Sequence, residues 1–335
     1  MTDYLYTGAG SYSDIYSTAL GYSTSISVSP GSFSLRFNSA GTIFYTTGIG
    51  IDELTAVDAA TSAIIGSVTI GASKSGLAIS NSGLIAYTSD PSAHQLSVID
   101  LTSLTVVTTI PVGSGFGSVS GMCFDPSDTY VYAYLSDSVS SALLKIDVSS
   151  STIAATIPMT PYAYFANGGD VVITPGGATL FVLTQDASGA NFAEMTIVDV
   201  SSFTVTTTVV ATFDCNYSYG IGIGNFCKSI FINDAGTTIY VFGIAGGTSG
   251  LIGVFDVASE IFTTTITTTL GIFLADMVIT SDGLHAYATN LSGLGAYDLT
   301  TNVELATATA THNAAGIDLG AYTPPVTAQQ VMIMC

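Results

Sequence analysis

Three histidines, four cysteines and 24 carboxylates are the residues of this chain that could do chemistry. His94, His285 and His312 stand far apart without metal-ligand spacing, and no G-x-S-x-G elbow or Cys–His pairing accompanies them. Nucleophilic and zinc chemistry therefore have no motif to rest on, and no catalytic residue is assigned. Cys215 and Cys227 flank the loop "CNYSYGIGIGNFC" and read as a disulfide, worth roughly 2–3 kcal/mol and implying an oxidising compartment. Cys123 lies in an apolar stretch and is expected to be a buried small hydrophobe, whereas Cys335 is free or intermolecular. Asn216 ("NYS") and Asn290 ("NLS") fit the glycosylation acceptor pattern.

The charge balance narrows the partners. Four Lys and Arg against 24 Asp and Glu give a formal charge of −20, and charged residues are only 8% of the chain. Such a chain repels phosphate backbones and anionic membrane surfaces, so nucleic-acid binding and basic-cluster membrane docking are excluded. No apolar run reaches the about 18 to 20 residues of a membrane-spanning helix. The opening "MTDYLYTGAG" shows neither the basic nor the apolar region of a secretory leader.

The elements that would position these groups form a repeat. "LSVIDLTSLTVVTTIPVG" (Leu96–Gly113) alternates apolar and polar residues around a short break, the pattern of a tight antiparallel hairpin. Versions of it recur with an Asp ending the first strand of the pair: Asp58, Asp100, Asp147, Asp199, Asp256 and Asp298. These units are spaced by 42 to 57 residues. A small-residue turn precedes an aromatic strand in each, which aligns Tyr45, Tyr87, Tyr132, Phe181, Tyr240 and Tyr287, with Tyr6 as a seventh. The Asp is placed to accept backbone N–H bonds and define its turn. The aromatic is expected to pack between units with its hydroxyl partnered.

The first unit lacks an inner strand, and "AGIDLGAY" near residue 316 supplies one. Residues from about 3 to 30 plus 316–322 thus form a split unit that closes a ring. The expectation is an all-β, seven-bladed β-propeller of four-stranded antiparallel blades over residues 1–323, with 324–335 as a tail. The hairpin and the "TSDGLHAYATN" turn (280–290) resemble the YVTN-type propeller repeats, a family that grades into lactonase-like propellers. That resemblance covers nearly the whole chain. It implies the fold and, for lactonase-like relatives, a polar or metal-bearing centre, but no catalytic residues carry over.

In this arrangement Ser34, Gly76, Gly121, Asp170, Ser229, Asp276 and Gly316 begin the inner strands and approach the central channel. Asp170 and Asp276 are candidates to hold a cation such as Ca²⁺, against the plainer reading of a solvated channel mouth. Arg36 and Asp318 align in adjacent units and are expected to form a structural ion pair. Every long loop falls on the face opposite the short turns, which makes Asp186, Asp214, Tyr217 and Tyr219 candidate ligand-binding residues. The outermost strands, such as "TVTTTVV" and "FTTTITTT", carry Thr and almost no charge, where exposed edges normally carry protective charge.

The expectation for function is a non-enzymatic, extracellular structural or adhesive module of a surface layer, filament or virion. Its partners would be its own copies or other surface proteins, with carbohydrate as a further ligand. The alternative is a lactonase-like enzyme acting at the channel mouth.

Overall fold

The structure is a computed structural model that describes residues 3–17, 19–20, 22–32, 34–47, 51–73, 76–90, 92–113, 118–136, 141–159, 169–185, 192–215, 230–245, 249–271, 274–290, 293–309 and 316–321. The chain opens with β1 (Asp3–Ser17) and β2 (Tyr22–Ser32). A four-stranded unit follows: β3 (Ser34–Phe37), β4 (Ile43–Thr47), β5 (Ile51–Asp58) and β6 (Ile64–Ser73). The pattern recurs in β7 (Leu77–Ile79), β8 (Ile85–Asp90), β9 (Gln95–Asp100) and β10 (Thr105–Pro111). It recurs again in β11 (Ser118–Phe124), β12 (Tyr130–Ser136), β13 (Ser141–Asp147) and β14 (Thr152–Met159).

Next come β15 (Asp170–Ile173), β16 (Thr179–Gln185), β17 (Phe192–Asp199) and β18 (Thr204–Cys215). They are followed by β19 (Ile230–Ile232), β20 (Thr238–Ala245), β21 (Ser249–Asp256) and β22 (Ile261–Thr267). The last unit is β23 (Leu274–Ile279), β24 (His285–Asn290), β25 (Gly293–Asp298) and β26 (Val303–Thr309), after which β27 (Gly316–Ala321) returns to the start.

Counted by continuous hydrogen bonding, these strands make six sheets, and the architecture is a six-bladed β-propeller with antiparallel strands. The expected seven separate blades are corrected. The cause is local: β18 runs 12 residues where β10, β22 and β26 run 7. Its extension pairs Asp214 with Ile244 and Cys215 with Gly243 of β20, which joins two repeat units into one eight-stranded sheet. The closing sheet has the order β2–β1–β27. As the split unit requires, β27 pairs into β1 from Asp3↔Ala321 to Gly8↔Gly316. The tail from 324 lies outside the described residues.

Burial follows position in the blade. Middle strands such as β13 ("SALLKID") are covered on both faces by neighbouring sheets and read as near-continuous apolar runs, whereas β10 ("TVVTTIP") is mostly exposed. The core lies between sheets. Tyr87, Val98 and Ile110 pack with Met122, Val131 and Leu144 of the next unit, and the Tyr87 ring meets Phe124 edge-on at 5.6 Å. All six recurring aromatics from Tyr45 to Tyr287 are buried. The expectation that each hydroxyl is partnered fails at Tyr132, whose hydroxyl is buried without a hydrogen bond.

Candidate functional site

The short inner strands β3, β7, β11, β15, β19, β23 and β27 lie side by side around the axis. Three of them carry the polar groups of the channel where the ring closes. Arg36 on β3 donates from Nη1 to Asp276 Oδ2 on β23 at 2.7 Å, and to its neighbour Leu35's carbonyl at 2.7 Å. Asp276 also accepts from Met277 N at 2.9 Å and from Ile317 N on β27 at 3.3 Å. Asp318 on β27 accepts from Phe37 N at 2.9 Å. The expected Arg36–Asp318 ion pair is therefore corrected: the salt bridge is Arg36–Asp276, and Asp318 holds β3 by a backbone amide. Burial pushes the Arg36 pKa down, but Asp276, Asp318 and Asp170 together outweigh it and hold it above its usual value.

These contacts lace the inner strands across the closure. Asp170 sits elsewhere, on β15. It is buried, accepts from Val171 N at 2.8 Å, and presses on Gly121 of β11, where a Cβ would lie 2.1 Å from its Oδ1. Asp170 and Asp276 are thus each built into a different strand junction. Among the described residues no three or more His, Cys, Asp or Glu gather as a metal site. Beside Arg36 and Asp318, a cavity of about 210 Å³ runs toward the turn end of the channel, walled by Phe231, Met277, Ile279 and Asp234.

Of the loop-face candidates, Asp186, Tyr217, Tyr219, Asn216, Cys227 and Cys335 lie outside the described residues, so the Cys215–Cys227 bridge does too. Asp214 and Cys215 are placed by their backbones in the β18–β20 join. Asn290 is buried, and its side-chain amide donates to the Leu270 carbonyl, so that nitrogen is committed inside the fold rather than presented to solvent. Cys123 is half-buried, less enclosed than expected.

The turn face is the more regular. Each of the six repeating aspartates accepts, on Oδ1, a backbone N–H two or three residues on, as Asp199 does from Ser202 at 2.8 Å and Asp298 from Thr300 at 2.8 Å. Ser and Thr hydroxyls of the same turns, the larger cause at Asp100, Asp147, Asp256 and Asp298, join these backbone donors in holding all six below the ordinary carboxylate value, Asp199 and Asp298 at about 2. Four residues after each Asp, the backbone is left-handed although no glycine stands there: Ser62, Leu104, Ser151, Phe203, Glu260 and Asn302. Seven residues after each Asp, the outer strand bulges. The register skips Ile65, Val107, Ala154, Thr206, Thr263 and Leu305. The bulge was missed in the sequence, although its fixed offset from the Asp is legible once known. It twists each edge as edge-protecting bulges do.

The turns between first and second strands share this face. They hold glycine at the left-handed position in five units and Asp128 in the sixth. Asp128 uses that position to reach the preceding unit, accepting from Asn81 N at 2.7 Å and Ser82 N at 2.8 Å. Desolvation works against its charge, but those donors prevail and hold its pKa below the usual value.

No family model matches the chain, and no curated protein sequence does. Among solved structures, Kuenenia stuttgartiensis hydrazine synthase is similar in fold, with a TM-score of 0.71 over 86% of this chain and 89% of that one. The two are 15% identical, so the likeness establishes a β-propeller and nothing about activity.

Proposed function

We propose that this chain is a non-enzymatic structural module that works by association, with its own copies or with other surface proteins, in an extracellular layer, filament or virion. One observation carries the reading: the outer strands expose aliphatic and Thr side chains with almost no charge. Beyond the turns, Val210 is 49% exposed, and Thr109, Thr265, Thr267 and Thr309 stand exposed along the same outer strands. β10 and β22 contain no charged residue at all. An outer strand in this fold also takes a further strand, as β18 does with β20. The extracellular setting rests on the sequence reading of Cys215 and Cys227.

Association should strengthen with salt, because −20 per chain is self-repelling and screening lengths fall below about 10 Å above 0.1 M. Sedimentation across a salt series tests it. Val210→Lys and Val210→Glu should both weaken association without lowering the melting temperature. A chain that stays monomeric at every concentration and salt level would refute the reading.

A further inference from the structure

We infer that the turn face is a docking surface for a basic polypeptide whose Lys and Arg side chains are interleaved with aliphatic ones. Antiparallel strands put both sets of short turns on one face. Six repeating aspartates stand there, with Glu260, Asp125, Asp128, Asp234 and Asp282 among them. The one lysine among the described residues, Lys145, is drawn onto the Tyr130 ring at 4.1 Å from its centroid.

Apolar exposure is concentrated at the same end. Of the twelve large hydrophobic side chains exposed among the described residues, only Val210 lies elsewhere. Leu84 and Leu284 project from turns, and the rest follow a turn aspartate by five to seven residues, at the bulged start of an outer strand. Carboxylates and aliphatic groups therefore alternate around one rim, with the large exposed apolar side chains gathered at one end of the fold rather than scattered over it.

Charge selects the occupant. A second copy would bring like charges to the same face, and its described cations are already engaged, Arg36 with Asp276 and Lys145 with Tyr130. Nucleic acids and anionic membranes are repelled. A basic chain satisfies the carboxylates, and its aliphatic groups, including the stems of its lysines, cover the apolar rim. This partner goes beyond self-association, and its salt dependence has the opposite sign.

The test uses the full chain and three labelled peptides of equal length: lysine–leucine, all-lysine and glutamate–leucine. Fluorescence anisotropy should show the lysine–leucine peptide binding tightest, the glutamate–leucine peptide not at all, and affinity falling as salt rises. Asp100→Asn with Asp147→Asn keeps the Oδ1 acceptors of both turns, and should weaken binding about 3- to 10-fold, the scale of two exposed charge pairs. Leu84→Ser with Leu284→Ser should narrow the preference for lysine–leucine over all-lysine. Asp52→Asn with Glu53→Gln, at the opposite end of β5, should change neither. All-lysine binding as tightly as lysine–leucine to the unaltered chain, or the β5 pair costing as much as the turn pair, would overturn the inference. So would turn-face variants that alter sedimentation but not peptide binding, since the occupant would then be a second copy.

Discussion

The Tyr132 hydroxyl offers a measurement whose sign runs against the usual effect of a core substitution. Tyr132 is fully buried in the second strand of its unit, and its oxygen has no hydrogen-bond partner. Desolvation raises its pKa far above that of a free phenol, with Asp125 adding to the effect. A buried unsatisfied hydroxyl costs about 1–3 kcal/mol. Removing it leaves a void of one oxygen atom, which at about 24 cal/mol per Å³ costs a few tenths of a kcal/mol. Tyr132→Phe should therefore stabilise the protein by about 1 kcal/mol. The aligned position in the next unit already holds Phe181, buried in the same way.

Tyr297 supplies the opposite case. Its hydroxyl meets Thr268 Oγ1 at 2.7 Å, and Thr268 in turn donates to Glu304 Oε1 at 2.9 Å. Tyr297→Phe breaks that chain and should destabilise by about 1 kcal/mol. Urea unfolding of both variants, with slopes matching the parent, reads the two signs. In a chain of this size each shift corresponds to roughly 2 °C in melting temperature. If Tyr132→Phe destabilises as much as Tyr297→Phe, its hydroxyl is satisfied by bound water and the reasoning fails.

Gly121→Ala should destabilise by about 1–3 kcal/mol through overpacking, since its Cβ would meet Asp170 at Oδ1 and also at Cα, 2.7 Å away. Adding Asp170→Ala should recover part of that loss in a double-mutant cycle, and strict additivity would show that the two do not touch. Acid should also unfold the protein by a predictable route. The six turn aspartates have folded pKa values below the unfolded 3.8, so their contribution is complete above about pH 4. It is lost as pH falls toward about 2, where Asp199 and Asp298 titrate in the folded state. Urea midpoints from pH 6 to 2 should fall in that window, and Asp199→Asn should make the fall shallower; a parallel curve would refute the linkage.

The propeller was legible because a repeat states its rules six times over. One Asp per hairpin shows both where a turn falls and that its role is structural, since chemistry does not need six copies. The split unit was legible for the same reason: an inner strand is missing at one end and supplied at the other. The blade count was not. Two extra pairings at Asp214 and Cys215 merge two units, and they arise from strand length rather than from the repeat pattern. The partner of Arg36 was also misjudged, because alignment places residues by height along the axis. It does not say which of three nearby carboxylates a long side chain will reach. The left-handed residues four after each Asp escaped notice because Leu104 and Phe203 carry no sign of such a backbone.

In a scaffold built by repetition, departures from the repeat are where constraints other than folding show. Two departures stand out. The first, Arg36, Asp276 and Asp318 in the channel, is explained by closure: their bonds tie β23, β27 and β3 together where the ring is made from both ends of the described chain. Folding alone accounts for those residues, which weakens any catalytic role for Asp276. The second is the long β18 and its join to β20, and ring closure does not require it, since the other neighbouring units stay separate sheets. The join sits at the loop end, beside the longest insertion in the sequence. Shortening β18 to the length of its counterparts should leave the rest of the propeller folded. A function lost on that change, with stability kept, would belong to the loop face, whereas one lost with the Asp100 and Asp147 substitutions would belong to the turn face.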